Sequence, residues 1–188
     1  MRLANKLTVV VVASSVMFLG ACSIHEHKGE EGEQKVEIKV PFAKINVGND
    51  TKAADTGLSA YPGARVKVDN DHDSNRANIQ IGGEDFGVKV VVAKYVTDDP
   101  PTKVISFYRD DLKRYGKVLE CPKGITETRG KDEKEIRCSD SGSDESGKMA
   151  LAVGVPDRQH VVSIKPDGKG TEFDLVYVNV RGKDHDTL

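Results

Sequence analysis

Residues 98–116, DDPPTKVISFYRDDLKRYG, decide the fold. An Asp ahead of two prolines suits a helix start. Asp99 offers a carboxylate to the first-turn N–H groups, and proline is tolerated there because its missing N–H would find no partner anyway. Val104, Phe107, Tyr108, Leu112 and Tyr115 then recur at helical spacing, with Lys103, Arg109, Asp110 and Lys113 on the other side. Gly116 supplies the stop. The spacing predicts one amphipathic helix over about 100–115.

On both sides of this helix the pattern changes to strands. Upstream, Phe86, Val88, Val90 and Val92 share one face of an extended segment, and Val91, Ala93 and Tyr95 share the other. Apolar residues on both faces predict a central strand, covered on each side at least in part. Before it, Val36–Val40 and Ile45–Val47 alternate with polar residues around Pro41, predicting two short strands or one bent edge strand. Asn49–Ser59 reads as a polar connection. Tyr61-Pro62-Gly63-Ala64 is turn chemistry leading into a strand over 65–68, and Ala77–Ile81 begins another. Downstream, strands are predicted over 117–121, 125–128, 135–138, 148–155, 160–165 and 173–180, with loops at 139–147 and 166–170. Strands, one helix, then more strands give an α+β fold, an antiparallel sheet with the principal helix on one face. With five Phe, five Tyr and no Trp, the core is expected to rest on the many valines.

The N-terminus carries an address. Met1–Lys6 holds two bases and no acid, and Leu7–Leu19 (LTVVVVASSVMFL) is uncharged. A membrane-spanning helix needs about 20 apolar residues, so this run reads as the apolar part of a signal peptide. It ends in Leu19-Gly20-Ala21-Cys22, which resembles the lipobox of bacterial lipoproteins. The resemblance implies cleavage before Cys22, a diacylglyceryl group on its sulfur, and acylation (a palmitate-type chain) of the new amino group. Several acyl chains anchor a protein firmly. The partner so implied is the lipid bilayer, and the location is the bacterial cell envelope. Ser23 in place of Asp favours, by the same resemblance, the outer membrane facing the periplasm. Residues 1–21 are thus the signal peptide. Residues 22–35, poor in large apolar side chains, read as a flexible tether. Residues 36–183 form a single domain, and 184–188 a tail. The stretch from Tyr61-Pro62-Gly63-Ala64 through Phe107-Tyr108 and Leu112 resembles uncharacterised exported bacterial proteins and implies no activity.

Composition narrows the partners. The mature chain would have 167 residues and a net charge near −4, without a basic stripe, which argues against nucleic acid. With Cys22 consumed by lipid, Cys121 and Cys138 remain, and an even pair in an oxidising compartment is expected to form a disulfide. The 16 residues between them carry roughly 3 kcal/mol of loop-closure stabilisation. A disulfide across neighbouring strands fits the pattern.

Catalytic and metal constellations are thin. Asp69, Asp71 and Asp73 alternate like the start of a calcium loop, but Ser74 and Gln80 stand where the sixth-position Gly and twelfth-position Glu belong. His25 and His27 offer a weak Zn or Cu grip on the tether. His72 and His160 are the histidines of the domain. Ser163 lies three residues from His160 and so on the opposite strand face. Asp110 and Asp111 are adjacent on the helix and diverge, and no nucleophile elbow, zinc-protease or phosphate-loop motif occurs. The expectation is a non-catalytic exported lipoprotein with no cofactor, binding an envelope protein or component. A metal-binding lipoprotein is the alternative, and an envelope enzyme the lesser one.

Overall fold

The computed structural model describes residues 23–28, 34–40, 43–47, 51–67, 76–82, 86–129, 134–141 and 147–182. Among the described residues twelve strands are formed: β1 Ser23–Lys28, β2 Gln34–Val40, β3 Ala43–Val47, β4 Arg65–Val66, β5 Arg76–Gly82, β6 Gly87–Thr97, β7 Leu119–Cys121, β8 Ile125–Arg129, β9 Lys134–Cys138, β10 Met149–Val155, β11 Arg158–Asp167 and β12 Gly170–Arg181. The helix, α1, spans Pro101–Leu112, and a 3-10 turn, Lys113–Tyr115, carries it to Gly116. Ten strands make one antiparallel sheet in the order β1-β2-β3-β5-β6-β12-β11-β10-β7, with β4 also paired to β6. Strands β8 and β9 form a separate hairpin. The α+β expectation therefore holds in its coarse form, with sheet dominating more than foreseen.

Several elements follow from local chemistry. The Tyr61–Ala64 turn closes with Ala64 N donating to Tyr61 O at 3.1 Å, and Gly63 takes φ 74°, the third position of a turn whose second is Pro62. The two long strands β11 and β12 pair from Arg158↔Asn179 to Asp167↔Gly170. The loop expected over 166–170 thus shrinks to Gly168 and Lys169, with Gly168 at φ 60°. Pro166 is tolerated in β11 because β10 pairs only as far as Ile164.

Two expectations need correction. Asp99 does not cap α1. Pro100 occupies the N-cap position without a side-chain bond, and Pro101 follows. With no N–H on Pro101, fewer donors await a cap, and Asp99 is used elsewhere. Its Oδ1 accepts from Lys103 Nζ at 2.7 Å and its Oδ2 from the Tyr61 hydroxyl at 2.9 Å. The backbone of Ser23–Lys28 pairs with β2 from Ser23↔Lys39 to Lys28↔Gln34. Second, Cys121 and Cys138 are bonded, at S–S 2.01 Å, but not across one ladder. The bond ties hairpin β8–β9 to β7 of the main sheet.

The core lies between α1 and one face of the sheet. Val104, Tyr108 and Leu112, at i, i+4 and i+8, are fully buried there. They meet Leu151, Val153, Val162, Ile164, Phe173 and Leu175 from the strands, and Ala53, Leu58 and Tyr61 from the preceding connection. That connection, read as polar, forms a 3-10 turn at Ala53–Thr56 and seals one side of the core. Phe173 is the hub, with the Tyr108 ring at 5.5 Å, Tyr95 at 5.7 Å and Tyr61 at 5.9 Å between centroids. Three aromatics share this core with three valines, four leucines, an isoleucine and an alanine. Most of the valines lie elsewhere.

Candidate docking face

Register assigns every strand residue to one of two faces. Leu175 pairs with Ala93 and Val162, and Phe173 with Tyr95 and Ile164, and all of these face α1. Farther along the same strands this helix-side face turns polar. Asn46 pairs with Asn78, Lys44 with Gln80, and Lys89 with Asn179. The outer face does the reverse. Beside the core it carries Lys94, Asp174, Glu172 and Lys165, and beyond them it becomes aliphatic.

That aliphatic region has three rows. Val47, Ala77, Val92 and Val176 are mutual partners across β3, β5, β6 and β12, and Val161 of β11 continues the row. Ile45, Ile79, Val90 and Val178 form the second row, and Ala43, Ile81, Val88 and Val180 the third. Three residues from each of four strands, with Val161, make thirteen aliphatic side chains on one surface, and none of them is buried. Ile81 is 47 % exposed, Val88 38 %, and Phe86 at the adjoining turn 62 %. Contiguous exposed apolar surfaces of this kind are candidate interaction sites.

The face has defined borders. On one side Cys121 shares a row with Ala150 and Ser163, so its disulfide draws hairpin β8–β9 onto the outer surface of β7 and β10. Ala150, Ala152 and Ile136 are buried there. At one end stands a charged cluster. Glu172, only 3 % exposed, accepts from Lys67 Nζ at 2.5 Å and Lys165 Nζ at 2.9 Å, with Lys94 Nζ at 3.9 Å. Burial by itself would raise the Glu172 pKa, but the hydrogen bonds from Lys67 and Lys165 outweigh it and hold the carboxyl below its usual range. Neighbouring Asp174 goes the other way, its pKa raised by burial, and its Oδ1 is shielded with no hydrogen-bond donor among the described residues.

The residues singled out for chemistry are placed as follows. His160 is buried, with Tyr115 stacked on its ring at 3.9 Å and Tyr177 at 4.8 Å, and its Nδ1 lies 2.9 Å from Thr56 O. Desolvation lowers its pKa, so the ring sits neutral in the core. Ser163 is exposed on the opposite face. Asp110 pairs with Lys113 at 2.7 Å, and Asp111 accepts from Ser59 N at 2.9 Å, Ser59 Oγ at 2.8 Å and Arg114 Nη1 at 3.1 Å. Both serve structure. Cys22, the calcium-loop candidates Asp69, Asp71 and Asp73, and His72 lie outside the described residues, among which no group of three or more metal-ligating side chains gathers.

An open cleft of about 670 Å³ lies between the 3-10 turn and the sheet, lined by Lys52, Leu58, Arg76, Tyr95 and Arg114 among others, with no histidine or carboxylate. Its cations serve the fold: Arg76 Nη1 donates to Thr51 O at 3.1 Å, and Arg114 Nη2 to Gly57 O at 2.6 Å. The face escaped the sequence reading because the Val88–Val92 alternation reports two apolar sides but not which one is left open. No protein-family model, no curated protein and no solved structure matches this chain.

Proposed function

We propose that the chain is an exported lipoprotein, held to a bacterial membrane through acylated Cys22, whose domain docks another envelope component across the aliphatic outer face without catalysing a reaction. The observation that carries the docking role is the partly exposed block of thirteen aliphatic residues on mutually paired strands of the main sheet. Burying it would release roughly 25 cal/mol for each Å² of apolar surface removed from water. The N-terminal signal and the Leu19–Cys22 motif support the anchor. The use of His160 as a neutral core residue weighs against hydrolytic chemistry.

Two measurements test this. Cells fed labelled palmitate should label the wild-type protein and not a Cys22→Ser form, which should leave the membrane fraction. Equal labelling of both forms removes the anchor. Detergent-extracted wild type should migrate on a native gel as a species larger than the monomer, and a Val90→Lys/Val178→Lys form as the monomer. Identical migration of the two removes the docking face.

A further inference from the structure

On the opposite, helix-side face of the sheet, we propose a second binding surface, for a linear polysaccharide that carries a carboxylate on every second sugar. Register lines up Arg158, Asn179, Lys89, Gln80 and Lys44 across β11, β12, β6, β5 and β3. Cation and amide thus alternate along one row. Arg158, Gln80 and Lys44 are exposed, and Asn179 and Lys89 partly so. Behind it, in the row of His160, Tyr177 and Val91, stand Asn78 and Asn46, both partly exposed. No acid occupies either row on these five strands. Among the described residues Lys44, Lys89 and Arg158 make no ion pair, whereas Arg65, Lys103, Arg109 and Lys113 each sit against a carboxylate. In a chain of formal net charge −2, the row is a local excess of positive charge. The sequence hides it, because the three cations lie far apart along the chain and meet only through register.

The chemistry of the row selects its partner. Strands about 4.8 Å apart place the cations about 10 Å from one another and extend the row over about 19 Å. An extended sugar chain advances by close to one strand spacing per ring, so a carboxylate on alternate rings meets a cation each time. Arg158 can hold one carboxylate in a bidentate pair, and the two lysines act as point charges. Between them Asn179 and Gln80 each offer donor and acceptor, as sugar hydroxyls do, and Asn78 and Asn46 offer more of both. Lys89 Nζ lies 5.8 Å from the centre of the Tyr177 ring, which steadies that ammonium from beneath. Single-stranded nucleic acid takes exposed aromatic rings on which its bases stack. A bilayer surface takes large apolar side chains beside the cations. The row from Arg158 to Lys44 has neither.

The test titrates the purified full-length protein, in neutral detergent, into a fluorescein-labelled hyaluronan hexasaccharide, whose glucuronates alternate with N-acetylglucosamine. Fluorescence anisotropy should rise saturably at low salt and fall back as sodium chloride is added. Lys44→Gln/Lys89→Gln/Arg158→Gln should bind about tenfold more weakly. Gln80→Glu sets a carboxylate between Lys89 and Lys44, and should weaken binding with all three cations still in place. Lys52→Gln/Lys117→Gln/Lys169→Gln removes the same charge from exposed sites off the row, and should bind within about twofold of wild type. Equal weakening by this control would reduce the effect to overall charge and overturn the surface. No binding by the wild type, or tighter binding of labelled hexaadenylate or of a short-chain phosphatidylglycerol, would overturn the polysaccharide as partner. None of these outcomes bears on the aliphatic face, which is tested separately.

Discussion

Val90 on β6 stands directly opposite Val178 on β12, both on the face away from the helix, whereas the next residue, Val91, is 0 % exposed on the other side. One strand thus divides its valines between a sealed core and an open surface. Val90→Lys should change unfolding free energy by less than about 1 kcal/mol, because the ammonium keeps its water. Val91→Lys should cost more than about 3 kcal/mol, because it buries an unpaired charge. Urea denaturation of the two variants checks this, and equal losses would mean that the two faces are not different.

The disulfide carries the hairpin. Replacing both Cys121 and Cys138 by Ala should cost about 3 kcal/mol through loss of a closed loop of this length. The β8–β9 amides should exchange faster than those of β11 and β12, whose long ladder does not depend on the bond. Hydrogen exchange resolved by segment measures both effects.

Tyr108 reads the core. Its ring is fully buried against Phe173 and Phe107, and its hydroxyl donates to Ser59 O at 3.2 Å. Tyr108→Phe should cost about 1 kcal/mol, the net worth of one hydrogen bond. Tyr108→Ala should cost about 3–5 kcal/mol, because it adds a cavity. A similar loss for both would place the stabilisation in the hydroxyl and not in packing.

Stability should fall on mild acidification. His160 has a folded pKa below its unfolded value of 6.5. Its neutral form is the native one, and its contribution is complete above pH 6.5 and lost as pH falls below that value, where the unfolded chain binds a proton that the folded chain refuses. Glu172, with a lowered pKa, acts in the same direction but below pH 4.5, and Asp174, with a raised one, acts oppositely as pH climbs above 3.8. The onset near 6.5 therefore belongs to His160. His160→Gln should flatten the unfolding free energy between pH 7.5 and 5.5, and an unchanged slope would exclude this assignment.

Local chemistry made much of the fold legible. The proline-led helix, the Tyr61–Ala64 turn and the two-faced β6 all follow from residues that act on their near neighbours. The capping error at Asp99 arose because Tyr61, 38 residues away, competes for its carboxylate. The aromatic hub was hidden for the same reason, since Tyr61, Tyr95, Tyr108 and Phe173 come from four separate segments. The open face was half visible. Alternation showed that Val88, Val90 and Val92 lie together, but only register with Val176, Val178 and Val180 shows how far the patch extends, and only the position of α1 shows which side is uncovered.

Radical footprinting of side chains tests the docking face most directly. The full-length protein would be labelled once in native membranes and once as a purified dilute monomer, with Val155, 48 % exposed and away from the patch, as internal reference. Ile79, Val90, Val92 and Val178 should be labelled several-fold less in membranes than in the monomer while Val155 is unchanged. Equal labelling of those four residues in both states would contradict a surface built to be covered.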